Sequence, residues 1–205
     1  AMTAVDVCNN ALGQIAHDRT ITSLSDGSAE AVRCALFWPR ARRAVLAARP
    51  WKFLQASAAP GTAGTPIAGF TKAYARPSTA LLLTGALDSG GAQLPFLDRG
   101  GLVHTKGTAT VVLYTADDET PDNWPPLVQD AVIAELADRL ARTMAASRTV
   151  IEACAQAAQA ALARAAADDD RQPGVTQDGA DAVLDICNNA LAAAGSERDL
   201  VSLAD

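Results

Sequence analysis

Nine of the 14 glycines fall between Gly61 and Gly107, and this clustering restricts the fold more than any other feature of the chain. Each glycine costs a helix interior roughly 1 kcal/mol relative to alanine, so the middle of the chain reads as strands and turns. Four strand-like runs fill it, over 69–74, 79–84, 102–105 and 108–115. The last is the clearest: Ala109, Val111 and Leu113 fall on one face, and Thr108, Thr110, Val112 and Tyr114 on the other. Gly100-Gly101 and Lys106-Gly107 read as turns between strands. The stretch 57–123 is therefore expected to form a small antiparallel β insertion.

The flanks have the opposite character. Alanine occupies 46 of 205 positions while aromatic residues make up 4%, a balance that favours close-packed helices. Thr3 and Asp6 form a capping-box signature for a helix with Val5, Cys8, Leu12 and Ile15 on one face. A second helix is expected from Ser28 to about Ala48, kinked at Pro39 because the ring removes a backbone donor. Pro125-Pro126 open a third, with Leu127, Ala131, Ala134, Leu140 and Met144 near one stripe. A fourth covers 147–167, where Asp168, Asp169 and Asp170 oppose the helix dipole and are expected to fray its end. The expected fold class is α+β: mainly an α-helical bundle over 3–56 plus 124–170, with the β insertion lobe over 57–123. A linker and tail follow over 171–205. Trp38, Trp51, Phe53 and Trp124 are the expected core anchors, the middle two because they follow Pro50, where a helix cannot easily continue.

Charge narrows the function. The formal net charge is −6, which argues against a nucleic-acid binder that uses its whole surface. It hides an asymmetry: residues 1–60 hold seven Arg and Lys against four acidic residues, and residues 126–205 hold six against 13. Arg33, Arg40, Arg42, Arg43, Arg49 and Lys52 lie close together, interleaved with Phe37, Trp38 and Trp51. One reading is a nucleic-acid surface, with arginines on phosphates and aromatics on bases. The other is that the aromatics anchor the core while the cations meet the chain's own acidic residues at 117–122 and 168–170. Polarity of this kind also suits register between copies of one chain, so these six are the interface candidates.

No catalytic constellation emerges. His17 and His104 have no nucleophile or carboxylate in a mechanistic arrangement, and no phosphate-binding glycine loop is present. Asp117-Asp118-Glu119 lacks a calcium-loop pattern and reads as a solvated acidic loop. Cys8, Cys34, Cys154 and Cys187 include no CxxC pair, so neither zinc nor a disulfide framework is expected. Cys8 and Cys34 read as small buried hydrophobes. No cofactor is expected, and no apolar run approaches the roughly 20 residues of a membrane span. The N-terminus shows no basic-then-apolar leader, and Ala1 before Met2 reads as a residue left by cloning.

The chain also repeats itself. Residues 5–26 return as 184–205 without a gap, with ten of 22 positions identical. The identities include Asp185, Cys187-Asn188-Asn189-Ala190-Leu191, Arg198, Ser202, Leu203 and Asp205. Either the tail is a loosely attached partial copy, or it occupies the groove shaped for the first helix, in its own or a neighbouring subunit. Because the first helix already fills that groove in its own chain, a second chain or a nearby apolar face is needed, and the tail is expected to mediate contacts between subunits. Leu184, Cys187 and Leu191 are then interface candidates too.

Several segments together resemble a known family. Cys8-Asn9-Asn10-Ala11-Leu12, Ser28-Ala29-Glu30, Phe37-Trp38-Pro39 and Arg49-Pro50-Trp51-Lys52-Phe53 follow one another as in the tail tubular protein A family, the head-to-tail adaptors of short-tailed bacteriophages. Phe70 to Pro77 is similar to that family's aromatic strand entry, and Asn123-Trp124-Pro125-Pro126-Leu127 to one of its helix starts. The resemblance covers about residues 3–145 and implies a structural virion protein of phage or prophage, not an enzyme. It implies a homo-oligomeric ring, usually dodecameric, between the portal protein and the tail nozzle protein, made in the host cytoplasm and located in the virion neck. DNA passes through such a ring without sequence-specific contact, and no membrane is involved. The alternative expectation is an α-helical nucleic-acid-binding module using Arg33 to Lys52.

Overall fold

The computed structural model describes residues 1–144 and 146–172. Helix α1 spans Ala4–Gln14, α2 Ala29–Leu46, α3 Pro126–Thr143 and α4 Arg148–Arg171. Between α2 and α3 run six strands: β1 Gln55–Ala58, β2 Lys72–Ala75, β3 Ala80–Leu87, β4 Phe96–Arg99, β5 Leu102–Thr105 and β6 Val111–Ala116. They form two antiparallel three-stranded sheets, ordered β1-β6-β3 and β2-β5-β4.

This corrects the expectation of a mainly α-helical bundle carrying a small β insertion. With about 45% of the described residues in helix and 19% in strand, and with two sheets among them, the architecture is α+β in a fuller sense. The physical reason lies in β1 and β4. Each has four residues and sits at a sheet edge, too short for a period-two signal to separate it from a loop. β1 pairs with β6 from Gln55 opposite Thr115 to Ala58 opposite Val112, so it crosses the 56/57 position where the insertion was expected to begin. In β6 the buried side carries Val112 and Tyr114, while Val111 and Leu113 are half-buried.

Two glycine features hold the sheets. Gly100 and Gly101, both at positive φ (+64° and +76°), make the two-residue turn between β4 and β5, a conformation that other residues adopt only with strain. Gly85 lies at a register shift of β3, where a Cβ would come within 3.2 Å of Leu113 Cδ1.

The helical core is built around α3, which packs on α1, α2 and α4. Val132, Leu136, Ala137 and Leu140 of α3 have no exposed surface. A smaller cluster in the sheets contains Ala80, Leu83, Val103, Val112 and Tyr114. Helix α1 opens with the capping box: the Thr3 hydroxyl accepts from Asp6 N at 3.2 Å, and Thr3 N donates to Asp6 Oδ2 at 2.8 Å. It closes through Ala16 at φ +56°, with His17 N donating to the Leu12 carbonyl at 3.1 Å. The following loop returns to the helix: Asn9 Nδ2 donates to the Ile21 carbonyl at 3.0 Å and Asn9 Oδ1 accepts from Ile21 N at 2.8 Å. Helix α2 starts at Ser28, whose hydroxyl accepts from Ala31 N at 3.1 Å. It runs through Pro39; Pro39 and Ala35, whose carbonyl loses its donor, are both exposed, so the missing bond falls on the solvent side of the helix.

Candidate functional site

The six basic residues singled out in the sequence are carried by α2 and the turn after it, and they divide into two groups. Arg42 is almost entirely buried (1% exposed). One of its terminal nitrogens lies 2.8 Å from Asp117 Oδ1 and 2.9 Å from Glu119 Oε1. Arg43 Nε donates to the other oxygen of Asp117 at 2.9 Å. Asp117 directly follows β6, so these two arginines tie α2 to the end of the central strand of one sheet.

Arg49 and Lys52 make a second tie, to the end of α4. Arg49 donates to the Ala166 carbonyl at 2.8 Å, pairs with Asp169 at 3.3 Å and with Asp170, and lies 5.4 Å from the centre of the Trp51 ring. The Asp170 carboxyl is held below its usual range, first by the hydrogen bond from Arg49, and Arg49 is correspondingly raised. Lys52 N donates to Asp169 Oδ1 at 3.0 Å, and its ammonium donates to the Asp169 carbonyl at 2.6 Å and to that of Gln172. Helix α4 therefore extends to Arg171 instead of fraying at Asp168, a correction with a clear cause. A lysine caps its final carbonyls and an arginine neutralises the carboxylates that oppose its dipole.

Arg33 and Arg40 differ. Among the described residues neither has an ion-pair partner. They share α2 with Val32 and Leu36, which are 61% and 51% exposed. Val32, Leu36, Arg40 and Arg43 recur at spacings of four and three, so they form one stripe along the outer side of the helix. Sequence reading missed the two apolar members. The available signal was their offset from the Ala31, Cys34, Trp38, Ala41 and Val45 repeat that faces the core.

The four aromatic residues are placed as follows. Trp38 and Trp124 are buried and stack with ring centres 5.9 Å apart. Trp51 has no exposed surface, and its Nε1 donates to the Val45 carbonyl at 3.0 Å. Phe53 is half-buried, with its ring centre 6.2 Å from that of Trp51. Leu184, Cys187 and Leu191 lie outside the described residues.

The histidines and the first two cysteines are placed as follows. His17 Nε2 lies 2.9 Å from Glu30 Oε1, and this contact, before any other, lowers the Glu30 carboxyl. His104 is buried beside Phe70. The Cys8 and Cys34 thiols are buried, and the neighbouring Cys34 thiol together with desolvation pushes Cys8 far up. Among the described residues no group of three or more metal-binding side chains is assembled, and no helix is long and apolar enough to cross a membrane. A groove of about 480 Å³ opens between the end of α1, α3 and α4, lined largely by small residues of α4 with Asp130 and Arg164. No protein-family model matches the chain, and no curated protein matches it.

Proposed function

We propose that this chain is a structural subunit of a head-to-tail connector of the tail tubular protein A kind. It assembles with copies of itself into a ring in the virion neck, between portal and tail nozzle, through which DNA passes without sequence-specific contact. The observation that carries this reading is the division of the cations of α2 and the following turn into those the chain itself engages and those it does not. Four of its six neighbouring cations, Arg42, Arg43, Arg49 and Lys52, are engaged by the chain's own carboxylates and carbonyls. They hold the helices to each other and to a sheet, which leaves few cations for a phosphate backbone. The outer stripe instead offers exposed Val32 and Leu36 beside Arg33 and Arg40. Apolar side chains flanked by arginine are the composition of a protein contact, since arginine is enriched at such surfaces.

The sequence resemblance runs through the same residues. Phe37-Trp38-Pro39 lies within α2, and Arg49-Pro50-Trp51-Lys52-Phe53 forms the joint between α2 and the first sheet. Negative-stain imaging of the purified protein mixed with its cognate portal tests the reading. Closed rings seated on the portal are the expected result. A monomer that ignores the portal and binds duplex DNA in a strongly salt-dependent manner overturns it.

A further inference from the structure

The stripe on α2 cannot pair with itself. Val32 and Leu36 lie one turn apart and are exposed. Arg33 and Arg40 flank Leu36 at spacings of three and four, so all four share one side of the helix. Among the described residues neither arginine has an ion-pair partner. The one carboxylate in α2 belongs to Glu30, which is buried and in contact with His17. Two copies of the stripe laid face to face would set arginine against arginine, and like charges at a contact are costly. The stripe therefore calls for a partner that presents an apolar recess beside a carboxylate.

The same chain carries both on another face. The groove of about 480 Å³ between the end of α1, α3 and α4 is lined by Ala134, Ala153, Ala157 and Ala161, side chains too small to fill it. Asp130 stands on its α3 wall and Arg164 on its α4 wall. Asp130 is exposed and, among the described residues, has no ion-pair partner. Val150 and Arg164 line the groove about 21 Å apart along α4, while Val32 to Arg40 covers about 12 Å of α2, so the ridge fits within the recess. The stripe points away from the core that holds α2 to α3, which puts the chain's own groove out of its reach. A second copy is the occupant that fits. A ridge and a recess on different faces make a head-to-tail contact, the kind that closes into a ring when the rotation allows.

We propose that the α2 stripe of one copy seats in the groove between α3 and α4 of the next, with Leu36 against the alanines and the α2 arginines beside Asp130. This inference rests on the reading of the chain as a self-associating subunit, and names the two surfaces that meet.

Charge reversal on the two sides tests it in the full chain. One variant carries Arg33→Glu with Arg40→Glu, the other Asp130→Lys. All three side chains reach solvent, so both variants are expected to keep the parent's helical circular dichroism. By sedimentation velocity each alone is expected to self-associate at least tenfold more weakly than the parent. An equimolar mixture of the two is expected to recover association to within about threefold of the parent. In a head-to-tail contact, alternating copies put the introduced carboxylates against the introduced ammonium, and the native arginines against the native aspartate. Variants that associate like the parent overturn the pairing while leaving the connector reading in place. Two weakened variants that fail to recover on mixing overturn it as well, because their charges then serve separate contacts. A parent that stays monomeric at every concentration also overturns it, and the connector reading is then decided by imaging with the portal.

Discussion

Trp51 and Asp117 show two ways in which one side chain holds this fold. The Trp51 indole is fully buried and spends its only donor on the Val45 carbonyl. Trp51→Ala is expected to cost about 3–5 kcal/mol, the usual range for a large buried ring left as a cavity, measured by chemical denaturation. Asp117 works by charge. Its side chain is 13% exposed and stands between Arg43 and the buried Arg42. Removing it strips Arg42 of its less exposed partner, since Glu119 is 73% exposed. Asp117→Ala is therefore expected to cost about 3–5 kcal/mol, and Asp117→Glu to recover part of it. An Asp117→Ala variant as stable as the parent refutes the role given to Arg42.

At the scale of elements, the ends of α4 and α2 depend on carboxylates that remain ionised. Asp170 and Glu30 both have pKa values lowered in the folded state, by the hydrogen bonds from Arg49 and His17 first. A lowered folded value means stability that is present above the unfolded pKa and lost as pH falls through the folded one. The melting temperature is expected to hold down to about pH 5 and then decline through and below the ordinary carboxylate range near 4. Asp170→Asn should flatten that decline and speed hydrogen exchange at the end of α4; an unchanged acid profile counts against the tie. The helices were largely legible in the sequence because their signals are local: Thr3 with Asp6, Ser28, and Pro125-Pro126. The last turn of α4 was not, because Arg49 and Lys52 lie more than 100 residues from it. β1 and β4 were missed for a related reason, since edge strands of four residues take their identity from their partners. The basic cluster was visible as a cluster. Which cations stay free was not, because pairing is a tertiary property.

For the whole molecule, the outer stripe of α2 and the internal ties predict separable effects. Val32→Asp with Leu36→Asp changes two exposed side chains, so stability is expected to shift by less than about 1 kcal/mol in total. If copies meet through this stripe, as proposed, sedimentation velocity should nevertheless show self-association reduced at least tenfold. Unaltered sedimentation of the double variant refutes the role given to this stripe. The first 26 residues carry a consequence of another kind, an evolutionary one. Thr3 and Asp6 cap the opening of α1, Asn9 satisfies both backbone groups of Ile21, and Asp26 accepts from Thr22 N. Their polar groups are met largely from within, and the main demand on the surroundings is an apolar wall. A gene segment encoding the whole unit can be duplicated without stranding a buried donor or acceptor; the repeat at 184–205 carries the unit from Val5 onward, with Ala182 at the position of the capping Thr3.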